Sequence, residues 1–80
     1  MDKETFKKAV GIEESIREHE LKIEQGENFL KMLDSYFQVR MNVGNTDLFV
    51  YSEDIKPFLE EWLNKHKVAI QELRNDFERL

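Results

Sequence analysis

From Ile12 to Phe37 the chain can be read in steps of four and three: Ile12, Ile16, His19, Ile23, Gly26, Leu30, Leu33 and Phe37. Written as heptads, position a falls at 16, 23, 30 and 37, and position d at 12, 19, 26 and 33, the seam of a coiled-coil helix. A second seam runs through Leu59, Leu63, His66, Ile70, Leu73, Phe77 and Leu80. Two seams of this kind predict two helices packed as an antiparallel hairpin.

Between the seams the period changes. Gln38 to Val43 alternates polar and apolar side chains, Gly44-Asn45-Thr46-Asp47 is turn chemistry, and Leu48 to Tyr51 is apolar and β-prone. This predicts a β-hairpin with Val39, Met41, Val43, Leu48 and Val50 on one face. The competing reading carries the first helix to about Met41 and follows it with an irregular loop.

The expected fold class is therefore mainly α: an antiparallel coiled-coil helical hairpin with a short β-hairpin between the helices. A single domain spans 1–80, with a helix over about 3–37, the β-hairpin over about 38–51 and a helix over about 54–80. Asp2 is the expected cap of the first helix, and Gly11 the place where it could bend or fray. Asp54, preferred over Ser52, caps the second and sets Pro57 in the first turn. Gly26, on the seam, predicts close approach of a bulky partner, taken as Ile70.

In an antiparallel pair the e positions face each other, which brings Glu20 toward Arg74 and Glu27 toward Lys67. The same register sets His19 near Phe77 and His66 near Leu30. A histidine on a seam serves as a pH switch or, the favoured reading here, as a register-setting polar residue.

The other flank carries the functional expectation. Phe29, Tyr36, Ile55 and Trp62 fall at g, with Met32 and Phe58 beside them at c. An apolar stripe this wide exceeds what a two-helix seam covers. Trp, Tyr, Phe and Met are the types enriched at protein interfaces. Phe29, Met32, Tyr36, Ile55, Phe58 and Trp62 are the expected protein interface; the alternative is that the β-hairpin folds back and covers them within one chain.

Composition narrows the classes. Apolar residues make up 40% and charged residues 36% of 80 residues, with one proline, three glycines and no cysteine. That excludes disulfides and thiolate metal sites and fits a reducing compartment. The opening Met1-Asp2-Lys3-Glu4-Thr5 lacks the apolar core of a signal peptide, and no apolar run approaches a membrane span. The expected setting is cytoplasmic. A net charge of −5 disfavours direct binding to nucleic acid or to an anionic membrane.

No catalytic constellation, phosphate loop or metal-ligand spacing is present in the sequence; the residues three before His19 and His66 are Ile16 and Leu63, not the glutamates of a di-metal bundle. The expectation is a noncatalytic protein with no cofactor and no metal. A domain this small without disulfides or metals needs another source of stability, which points to a homodimer or higher homo-oligomer.

The order helix, β-hairpin, helix is similar to that of prefoldin-type chaperone subunits, whose coiled coils carry a hairpin used for assembly. The similarity is architectural and implies, as one alternative function, a clamp that holds nonnative chains. Another alternative is an acidic regulator that occupies a nucleic-acid-binding protein. The leading expectation is an assembly or adaptor module that self-associates through the aromatic patch and binds a protein partner.

Overall fold

In the computed structural model, which describes residues 2–80, the chain is two long helices joined by a two-stranded antiparallel β-hairpin. The order is α1 (Lys3–Leu33), β1 (Gln38–Val43), β2 (Thr46–Tyr51) and α2 (Ser52–Glu78). The helices pack side by side, and the molecule measures 53 × 25 × 15 Å. Its radius of gyration of 17.2 Å exceeds the roughly 12 Å of a compact domain of this length.

α1 starts where the sequence puts it. Asp2 caps it, with Oδ1 accepting the Thr5 N–H at 2.8 Å. This bond, made to the charged form, holds the Asp2 carboxyl below its ordinary value. The helix runs through Gly11 without a break.

It ends at Leu33, a full turn before the expected Phe37. The Ser35 N–H donates to Met32 O and the Tyr36 N–H to Leu33 O, short i→i+3 bonds that close the last turn. The reason lies in the next element: Gln38 pairs with Tyr51 at the first rung of the ladder, so residue 37 must already be extended. Phe37 leaves the seam, stands 78% exposed and meets Tyr51 edge-on, with ring centroids 5.1 Å apart.

The hairpin register pairs Val39 with Val50, Met41 with Leu48 and Val43 with Thr46. This puts Val39, Met41, Val43, Leu48 and Val50 on one face, because directly opposed residues point the same way. Only Gly44 and Asn45 lie between the last paired residues. Gly44 has φ +59° while Asn45 keeps an ordinary negative φ, and a tight hairpin turn of the II′ kind asks for glycine at its first central position. Asn42 Nδ2 donates to Asp47 Oδ1 across the strands at 2.5 Å.

α2 begins two residues before the expected start, and neither Ser52 nor Asp54 caps it. Tyr51 holds the cap position without a side-chain bond. The Ser52 N–H donates instead to Phe37 O at 2.9 Å, and its hydroxyl donates to Tyr36 O. Pro57 accordingly sits beyond the first turn, inside the helix.

Among the described residues the buried apolar set is Ala9, Leu33, Leu63 and Ile70. All are seam positions, and Gly26 is buried with them. The core is thus one thin line between two helices. The accessible surface is 6665 Å², against roughly 5,100 Å² for a folded monomer of this mass. The difference, on the order of 1,500 Å², is surface that the fold leaves uncovered.

Candidate functional site

Gly26 sets the site. A Cβ at this position would lie 2.7 Å from Leu63 Cδ2 and 2.8 Å from Trp62 Cζ3. Glycine is therefore what lets α2 press against α1 here. The partner is Leu63 with Trp62 and not Ile70, so the seam opposite Gly26 lies one heptad earlier in α2 than the sequence suggested.

Beside this contact runs an open apolar groove of about 410 Å³. α1 contributes Gln25, Gly26 and Phe29. From α2 come Ile55, Phe58, Leu59 and Trp62. The remaining wall is β1, through Val39, Arg40 and Met41. The hairpin thus leans back along the helices instead of projecting from their end. It walls the groove on one side and does not roof it: Phe29 and Met41 remain exposed, and Phe58 is 64% exposed.

Of the six residues expected to form one interface, the structure brings Phe29, Ile55, Phe58 and Trp62 into this groove. Met32 is exposed outside it. Tyr36 lies past the end of α1, beside a smaller depression shared with Phe37, Ser52 and Lys56. Val39, Met41 and Leu59 also belong to the groove, though they are not among the six expected interface residues. The alternation of β1 marks Val39 and Met41 as sharing a face, but alternation does not say toward which helix that face turns.

Apolar exposure extends over the hairpin itself. Val43 is 81% exposed, and Leu48 and Phe49 are open on opposite faces. Both edges of the two-stranded sheet are unpaired, which is the arrangement that templates strand addition. Some apolar side chains also face solvent along the arms, Phe6, Leu21 and Val68 among them.

Next to the groove stands a histidine pair. His19 and His66 do not separate toward Phe77 and Leu30 as expected. They meet across the seam, Nδ1 to Nδ1, at 2.7 Å, with ring centroids 5.0 Å apart. Trp62 packs edge-on against His66, centroids 4.4 Å apart. Burial pushes the His66 imidazole below its ordinary value, and positive charge at His19 and Lys22 adds to the effect.

Ion pairs flank the seam. Lys67 Nζ lies 3.7 Å from Glu27 Oε1, and Arg74 Nη2 lies 3.8 Å from Glu20 Oε1, the two pairs expected from the e positions. Lys56 Nζ reaches Asp34 Oδ1 at 2.6 Å; the bond and the negative charge raise the Lys56 ammonium above its ordinary value. Among the described residues, no group of three or more His, Cys, Asp or Glu side chains converges as a metal site would. No described helix is long and apolar enough to cross a membrane.

Comparison with protein-family models, with curated proteins and with solved structures finds no match.

Proposed function

We propose that this chain is a noncatalytic assembly module that self-associates through the groove formed by α1, α2 and β1. The observation that carries the reading is the groove itself. Its walls are apolar and aromatic, it is open to solvent, and it adjoins a β-hairpin whose edges and faces are uncovered. Open apolar surface of this kind is a liability for a free monomer.

Area sets the scale. A stable complex buries about 800 Å² on each partner. The surplus surface of this chain, on the order of 1,500 Å², is more than enough for one such interface. A second copy is the simplest occupant, since it supplies the same groove and the same unpaired strands. A two-stranded hairpin is marginal alone and gains most from such pairing. A homodimer or small homo-oligomer in the cytoplasm, presenting its arms to a protein partner, is the resulting picture.

Sedimentation of the full chain tests it. The wild type should sediment as a dimer or larger species, and Phe58→Ala with Trp62→Ala should sediment as a monomer that keeps its helical signal. Self-association unchanged in that double variant would reject the groove as the interface.

A further inference from the structure

We infer that the His19–His66 pair is an acid-sensitive latch on self-association, acting on the groove through Trp62. This rests on the assembly reading and adds its regulation.

The geometry is specific about protons. Two Nδ1 atoms at 2.7 Å form a hydrogen bond only if one is protonated and the other offers its lone pair. The neutral pair satisfies this with one ring as the Nδ1–H tautomer and the other as Nε2–H. A first added proton enters at the free Nε2 of the donor ring and leaves the Nδ1–H···Nδ1 bond in place. A second must take the Nδ1 lone pair that the bond uses. The bond is then lost, and two imidazolium rings stand at 5.0 Å between centroids. The second proton, unlike the first, therefore breaks the contact.

The surrounding charges do not rescue it. On α1 the charge that reaches His66 is Lys22, which is also positive. Glu20 and Glu27 are engaged by Arg74 and Lys67. On α2 the nearest ring is Trp62, and Glu61 lies beside Lys65. Among the described residues no carboxylate pairs with either imidazole.

Trp62 transmits the change. Its ring contacts His66 on one side, closes over Gly26 on another, and lines the groove. An imidazolium driven from His19 re-seats against the indole, whose face attracts cations. The wall of the groove moves with it.

The test measures the dimer dissociation constant of the full chain by sedimentation at about pH 8 and about pH 5.5, which bracket the ordinary histidine range and stay above the carboxylate range. The wild type should weaken by more than about threefold at the lower pH while keeping its helical signal. His66→Gln, which stays polar but takes no proton, should show less than about a threefold change, and His19→Gln should do the same from the opposite helix. Emission of Trp62, the sole tryptophan, should follow the same pH step in the wild type and lose it in both variants. A wild-type constant that does not change with pH, or a step that survives both substitutions, overturns the latch and leaves the assembly reading intact. A chain that is monomeric already at the higher pH overturns the assembly reading, and the latch falls with it.

Discussion

The hydroxyl of Ser52 donates to the backbone carbonyl of Tyr36, joining the first residue of α2 to the segment that leaves α1. The Ser52 N–H reaches Phe37 O as well, and the serine is only 5% exposed. Two backbone carbonyls of the segment between α1 and β1 are thereby satisfied by one residue. Ser52→Ala removes the hydroxyl that donates to the Tyr36 carbonyl from a serine that is itself buried. It should cost about 1–2 kcal/mol. A lower urea midpoint at unchanged slope, with faster amide exchange in β1 and β2, is the expected result.

Two glycines in α1 should respond in opposite directions to the same substitution. Alanine gains about 1 kcal/mol over glycine in a helix interior. At Gly11 a Cβ meets nothing within 4 Å, so Gly11→Ala should raise the melting temperature. At Gly26 the added methyl strikes Leu63 and Trp62. Overpacking of this kind costs about 1–3 kcal/mol, so Gly26→Ala should lower the melting temperature and shift Trp62 emission.

Stability should fall on mild acidification. His66 in the folded chain lies below its ordinary value of 6.5, so the unfolded chain binds the proton more readily. Folding stability is then complete above about pH 6.5 and declines as the pH drops toward the folded value. Chemical denaturation at a series of pH values should show this slope, and His66→Gln should flatten it. The same slope in wild type and variant would assign the effect to other groups.

Charge swaps on the e flank should show how little those pairs contribute. The Glu27–Lys67 contact is more than half exposed on both sides, and such pairs are worth about 0.2–1 kcal/mol. Glu27→Lys exchanges that attraction for a repulsion and should destabilise by about 0.4–2 kcal/mol, with the loss shrinking as salt is added. Glu27→Lys combined with Lys67→Glu should recover it in a double-mutant cycle.

The elements were legible because each carries its own period. The change from heptads to alternation at Gln38, the glycine-led turn at Gly44 and the cap at Asp2 rest on local chemistry, and the structure places all three where that chemistry does. Register was harder. A heptad seam looks the same after a shift of seven residues, and the e positions Glu13, Glu20, Glu27 and Asp34 repeat one sign at that same interval. Flexible Glu, Lys and Arg side chains reach each other in more than one register, so the expected ion pairs form even though Gly26 meets Leu63 and not Ile70. The connection decides the matter: α1 stops at Leu33, and Ser52 ties the start of α2 to Tyr36 and Phe37. Neither event has a periodic signature, and the histidine contact follows from both. In the groove, the helix-borne rings were visible as a flank of the seam, but the wall built by Val39 and Met41 depends on how the hairpin tilts.

The antiparallel course of the helices also governs how the chain would bear load. Glu13 and Ile16, early in α1, share a hollow with Phe77 and Glu78 near the end of α2, so the two outer ends of the helices lie near the same pole, away from the sheet. Tension applied to those ends would peel the seam apart one layer after another, with no long row of contacts sheared at once. Such a pair yields at low force from the outer pole inward, and Ser52, at the far end of the seam, would be among the last attachments to give way.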